Sequence, residues 1–161
     1  MNAGIAISAS KLTKRFGTFT AVDAIDLDVK QGEIFGFLGA NGAGKTTAMK
    51  MFIGLSKPTS GEATVAGFDV YTQSEEIKRN IGYMSQRFSL YNDLTVRENI
   101  RFYGGIYGLD DARLKQRTEQ MIEELGLTDH AKTLLASLPL GWKQKLAFSV
   151  ALIHEPRIVF L

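Results

Sequence analysis

The stretch Ile34-Phe-Gly-Phe-Leu-Gly-Ala-Asn-Gly-Ala-Gly-Lys-Thr-Thr47 constrains the fold of this chain more than any other. A β-leaning apolar run, Ile34 to Leu38, stops at Gly39, and Lys45 to Lys50 reads as a helix start. Gly39, Gly44, Lys45 and Thr46 fit the phosphate-loop template G-x-x-x-x-G-K-[ST], in the strand–loop–helix order the template requires. Glycines tolerate positive φ and lack a Cβ, so successive backbone N–H groups can turn inward on an anion. The new helix adds its unpaired N–H groups and its positive dipole end. Gly39, Ala40, Asn41, Gly42, Ala43, Gly44, Lys45, Thr46 and Thr47 are therefore the candidate phosphate-binding residues. Lys45 is expected to reach the β- and γ-phosphates, and the Thr46 hydroxyl to sit on Mg²⁺. The alternative is an ordinary Gly-rich turn, but four fixed positions match by chance on the order of once in a hundred such chains. The pattern implies a chain that binds a nucleoside triphosphate, or descends from one that did.

With 161 residues there is room for one domain with a substantial core and not for two large ones. Lys and Arg number 19 against 17 Asp and Glu, a net charge of +2, which makes no electrostatic case for nucleic acid as the main partner. The chain has no cysteine, so disulfides, thiol chemistry and cysteine metal sites are excluded. No apolar run approaches the length of a membrane span, and Met1 to Ser10 lacks the basic start and long apolar core of a secretory signal. Work at a membrane would need spans carried elsewhere in the assembly.

Along the chain, Ile5 to Leu12 reads as a strand, and Lys14 to Phe19 as a turn holding an awkwardly placed Phe16. Thr20 to Val29 alternates Val22, Ile25, Leu27 and Val29 against Asp23, Asp26 and Asp28, with an irregularity at Ala24. Lys30 to Glu33 turns into the strand at Ile34–Leu38, and the loop helix runs from about Gly44 to Leu55 with Gly54 as its stop. Glu62 to Val70 is a short strand region broken by Gly67, Ser74 to Asn80 a short helix, and Ile81 to Gln86 a buried strand. Beyond Arg87 the chain turns helical. Thr95-Val96-Arg97-Glu98 is a capping box opening a helix with Ile100, Tyr103 and Ile106/Tyr107 on one face. Asp110 or Asp111 caps a second helix carrying Leu114, Met121, Ile122 and Leu125, ended by Gly126. Thr128-Asp129 opens a third, and Trp142 to His154 is a fourth, stopped by Pro156. Arg157 to Leu161 begins a buried strand.

In this order the segments resemble the ATP-binding cassette of ABC transporters over essentially the whole chain. Lys11-Leu-Thr-Lys-Arg-Phe-Gly17 resembles the segment whose aromatic stacks on adenine, a role that falls to Phe16; the alternative is a core aromatic. Tyr83-Met-Ser-Gln86 resembles the glutamine loop, in which Gln86 would help hold Mg²⁺ and sense the γ-phosphate; a solvated loop residue is the plainer reading. Leu138-Pro-Leu-Gly-Trp-Lys-Gln-Lys-Leu146 stands where the family carries L-S-G-G-Q, with Leu138 and Gly141 matching and Pro139 and Leu140 departing. Pro139 has neither hydroxyl nor N–H, so binding of the opposite cassette's γ-phosphate is expected to be weakened there. The variant resembles ABC-2 type exporters, often grouped with multidrug efflux. Phe88, Leu90 and Tyr91 would touch the membrane-spanning partner, or pack inside the helical subdomain.

The resemblance implies an α/β fold: a P-loop NTPase core (1–86) with an N-terminal antiparallel β region, a helical subdomain with the signature helix (87–155), and the start of the Walker B strand (156–161). It implies ATP and Mg²⁺ as ligands. It also implies a transmembrane permease partner, a second cassette as homo- or heterodimer, and a place on the cytoplasmic face of the cell membrane. The family's Asp-Glu pair would follow Ile158-Val-Phe-Leu161, and no residue follows. The later switch histidine is missing too, and His154 reads as a helix-end residue. The expectations are ATP binding without groups for efficient hydrolysis, and marginal solubility from an uncovered strand edge. Competing readings are a non-hydrolysing ATP-binding or regulatory module, and a small P-loop kinase whose lid brings Arg97, Arg101 or Arg113 onto phosphates.

Overall fold

The computed structural model describes residues 4–85 and 90–161. They fall into two compact units, Met1–Ile81 and Gly82–Leu161.

The first unit is built on an antiparallel sheet of β1 (Ile5–Phe16), β2 (Phe19–Lys30), β3 (Ser60–Val65) and β4 (Phe68–Asp69), in the order β2-β1-β3-β4. Alternation works as expected: Val22 and Val29 are buried while Asp23, Asp26 and Asp28 face solvent. The β1–β2 ladder shifts register at four places, and left-handed Lys11 (φ 47°) and Ala24 (φ 44°) mark two of them, the second being the irregularity visible in the sequence. Each of these two leaves an amide without a ladder partner, and a side chain takes it. Lys11 N donates to Asp26 Oδ1 at 2.8 Å, and Ala24 N donates to the buried Thr13 Oγ1 at 3.0 Å. Between β3 and β4, Ala66 (φ 53°) and Gly67 (φ 86°) make a two-residue turn of the twisted-hairpin kind. α1 (Lys45–Phe52) lies against β1, β2 and β3, burying Ala48, Met51 and Phe52, and α2 (Ser74–Asn80) buries Ile77.

Two expectations fail here. The Lys14–Phe19 turn shrinks to Gly17 and Thr18, because Phe16 and Phe19 are still paired across the ladder. The run Ile34–Leu38 is not a strand: Ile34 is 100% exposed and Leu38 92%. A strand exists only where a neighbour supplies a hydrogen-bond ladder, and β propensity without one gives extended chain.

In the second unit, α3 (Val96–Ile106), α4 (Asp111–Glu124) and α5 (Leu140–Ala151) enclose a core that includes Ile100, Ile122, Leu127, Leu135, Leu146 and Ile153. The capping box forms as expected: Glu98 N donates to Thr95 Oγ1 at 3.2 Å and Thr95 N to Glu98 Oε2 at 2.8 Å. Asp110, not Asp111, caps α4, accepting from Arg113 N at 2.9 Å. β5 (Ile81–Tyr83) pairs with β6 (Ile158–Phe160).

Here too the sequence misleads in places. Ile106, the last residue of α3, is 63% exposed; the helix buries Val96, Asn99, Ile100 and Gly104, with Tyr103 and Tyr107 packed against the core. The third helix is a single 3₁₀ turn, Thr128–His130. α5 starts before Trp142, since Pro139, which needs no N–H, sits at the cap with φ −57°. It stops before His154, since Glu155 is left-handed (φ 57°) ahead of Pro156. β6 is not buried: Val159 is 39% exposed.

Candidate functional site

The phosphate-loop segment makes a tight turn, Ala43 N donating to Ala40 O at 3.2 Å with Gly42 at φ 85°. Gly44 (φ 83°) then caps α1, whose first intrahelical bond is Ala48 N to Gly44 O at 2.8 Å. The N–H groups of Lys45, Thr46 and Thr47 belong to the first turn, where no intrahelical acceptor exists, and Gly44 provides no side-chain cap. Gly44 is dictated twice over: its φ is left-handed, and a Cβ there would sit 2.1 Å from Ala21 O on β2. Gly39 lies close to Lys45, whose Nζ donates to Gly39 O at 2.5 Å and to Ala40 O at 2.7 Å. The ammonium therefore closes the loop on its own carbonyls. Asn41, Gly42 and Thr46 are exposed, and Thr47 is half-buried.

Phe16 is 55% exposed at the end of β1, so it is not a core aromatic. Its ladder partner Phe19 stands two residues from Ala21, the residue against Gly44. That is about 7 Å of strand, so the aromatic tip and the loop share one end of β2.

Gln86 and Phe88 lie outside the described residues. Mg²⁺ is typically held by one or two protein oxygens plus substrate phosphates, and an exposed Thr46 hydroxyl at the loop fits that mode. Among the described residues no group of three or more His, Cys, Asp or Glu could hold a metal on its own.

The signature segment splits between core and solvent. Leu138 is buried, leaving only its backbone to a ligand, while Leu140 is 66% exposed and Gly141 has open space around it. Trp142 packs against the core with Lys145 Nζ 5.3 Å from its ring centroid, and Lys143 Nζ donates to Ala136 O at 2.9 Å. Of the proposed partner contacts, Leu90 is buried in the core, whereas Tyr91 is 46% exposed and meets Phe102 edge-on at 5.1 Å. His154 follows α5 and stacks on Tyr107, the ring centroids 3.8 Å apart.

Two of the three arginines that a kinase lid would bring onto phosphates are engaged with carboxylates. Arg97 is engaged in a two-pronged pair with Glu119, and Arg113 with Glu155 at 3.0 Å. The hydrogen bond from Arg97 holds the Glu119 carboxyl below its ordinary range, and Glu119 in turn raises the Arg97 guanidinium.

Sequence reasoning passed over Asn99. Fully buried, it accepts from Tyr91 N at 2.9 Å and donates to the carbonyls of Tyr91, Leu94 and Thr95 at 2.9, 3.2 and 3.0 Å. One amide thus ties down the approach to α3. The available signal was a polar residue beside Ile100, at a helix position where an apolar one fits.

The family profile described as "ABC transporter" matches residues 22–161. A probable multidrug ABC transporter ATP-binding protein of Escherichia coli (strain K12) is 49% identical over 96% of this chain and 27% of its own length. The bacitracin transport ATP-binding protein of Bacillus licheniformis is 39% identical over 96% of this chain and 50% of its own. A daunorubicin resistance ATP-binding protein of Streptomyces coeruleorubidus is 35% identical over 98% and 49%. The chain thus spans half or less of these relatives. A solved ATP binding subunit of an ABC transporter superposes with a TM-score of 0.81 at 27% identity, over 96% of this chain and 64% of the other. The structure of cbiO1 from Clostridium perfringens, part of an ABC transporter complex, gives a TM-score of 0.84 at 22% identity, over 97% and 64%. The latter likeness speaks for the fold alone.

Proposed function

The chain belongs to the ABC transporter family and has the α/β fold of its ATP-binding subunits, and from that premise we propose that it is the nucleotide-holding part of an ABC-2 type exporter. The observation that carries this reading is the loop at the start of α1: left-handed Gly44 packed against β2, uncapped amides, and a lysine that donates to two loop carbonyls. When a triphosphate enters, Lys45 exchanges those two neutral acceptors for charged phosphate oxygens, a stronger class of hydrogen bond. The first-turn amides of α1 hold the β-phosphate, and the Thr46 hydroxyl, with Gln86, supports Mg²⁺, which neutralises phosphate charge when bound. Phe16 offers its face to adenine.

On the same reading, residues 87–155 serve as the helical subdomain. The backbone of Leu138 and Gly141 at the start of α5 faces the nucleotide held by a second cassette. Closing of that pair moves a transmembrane permease at the cytoplasmic face of the membrane. Among the described residues no helix is long and apolar enough to cross a membrane. The names of the relatives (multidrug, bacitracin, daunorubicin resistance) support export. Hydrolysis is assigned to the whole protein, since the described residues hold and orient the nucleotide.

Calorimetric titration with MgATP tests the binding role. The wild-type chain binds and Lys45→Ala loses about ten- to a hundredfold in affinity, as expected for a charge-assisted contact; equal affinity would refute it.

A further inference from the structure

Lys14 stands two residues before Phe16 on β1, so the two side chains share a face of the strand. Its Nζ lies 5.1 Å from the centroid of the Phe16 ring, within cation–π range, and the same ammonium donates to Lys57 O at 2.6 Å. The ring is otherwise poorly supported, being 55% exposed at a hairpin tip beside Gly17. An unsupported phenylalanine would sample several rotamers and offer either face. Here one face is covered by a cation that is itself pinned to the α1–β3 connection.

We propose that Lys14 is a positioning residue for the nucleotide base, making Phe16 a one-faced platform for an electron-rich purine. The proposal rests on the reading of Phe16 as the base platform. Two effects follow from the geometry. The ring loses less freedom when a flat ligand stacks on its open face, because one orientation is already preferred. The cation also draws π density toward its own side, so the open face becomes a better partner for a purine. Neither effect acts on the triphosphate tail, which the proposed reading gives to Lys45 and the loop.

The test compares MgATP with Mg-tripolyphosphate, which has the tail and no base, on the full chain. Lys14→Met keeps the aliphatic stem and removes the charge. It is expected to weaken MgATP by about two- to fivefold, the range of an exposed cation–π contact, and to leave tripolyphosphate unchanged. Lys14→Arg restores ATP affinity, and Lys14→Met has no further effect when Phe16 is already alanine. A merely structural lysine would move both ligands or neither. Equal loss for the two ligands, no loss, or a loss that persists in the Phe16→Ala background would each overturn the proposal. Failure of the wild-type chain to bind tripolyphosphate would instead remove the loop reading, and this proposal with it.

Discussion

Two helices of this protein begin beside a glycine in a motif-like segment, and the two glycines do different things. At the start of α1, Gly44 is left-handed and so close to Ala21 O that no side chain fits. At the start of α5, Gly141 has ordinary helical backbone and nothing within 4 Å of where a Cβ would be. Both helix starts offer unpaired amides. Each has a lysine reaching back to preceding carbonyls, Lys45 to Gly39 and Ala40 and Lys143 to Ala136, but only the first has its glycine locked in place by packing. A site that must hold a ligand within its own unit needs that locking. A helix end that meets a ligand carried by another chain needs open space instead. The contrast fits the division of roles proposed above, in which α1 owns the nucleotide and α5 visits another.

The largest break in that comparison should come from Gly44→Ala. Left-handed strain and the clash with Ala21 O together cost about 2–4 kcal/mol, read as a lowered melting temperature with loss of MgATP binding. Asn99→Ala should come next, at about 2–3 kcal/mol, because buried groups of Tyr91 and Leu94 lose their partner. Thermal unfolding should register it while tripolyphosphate affinity stays put. If ligand affinity fell instead, the loop would depend on Asn99 in a way the fold of the first unit does not require.

Acidification gives a smaller effect. The Glu119 carboxyl is depressed by its hydrogen bond from Arg97, so the stability this pair contributes is present above the unfolded carboxyl range. It is lost as pH falls through the folded value. Arg97→Met should flatten that part of a melting-temperature profile, and an unchanged profile would remove the pair from the account. Gly141→Ala should be the mildest, within about 0.5 kcal/mol in stability. A large loss there would erase the distinction between the two helix starts.

Much of this was legible in the residues, for physical reasons that differ by region. The loop was readable because glycine, lysine and threonine at fixed spacing have few other uses. The Thr95 cap was readable because its partner Glu98 lies three residues away, and the Ala24 bulge because alternation fails there. What stayed hidden depends on contacts distant in sequence. Ile34 to Leu38 has the composition of a strand, but a ladder requires a neighbour that local pattern cannot supply. Ile106 ends α3 exposed, while Asn99 holds a buried position by satisfying four backbone groups that local pattern does not reveal. The extra turn at the front of α5 was masked by Pro139, which marks a helix end or a helix start equally well. The position of Lys14 over Phe16 depends on strand pairing and on Lys57, forty-three residues further on.

The central claim is that the backbone from Gly39 to Thr47 holds a triphosphate tail. Backbone amide chemical shifts of the uniformly ¹⁵N-labelled chain, recorded with and without Mg-tripolyphosphate, test it most directly. The account predicts the largest changes at Gly42, Gly44, Lys45, Thr46 and Thr47, with the amides of α4 unmoved. Shifts spread over α4 and absent from the loop would contradict it.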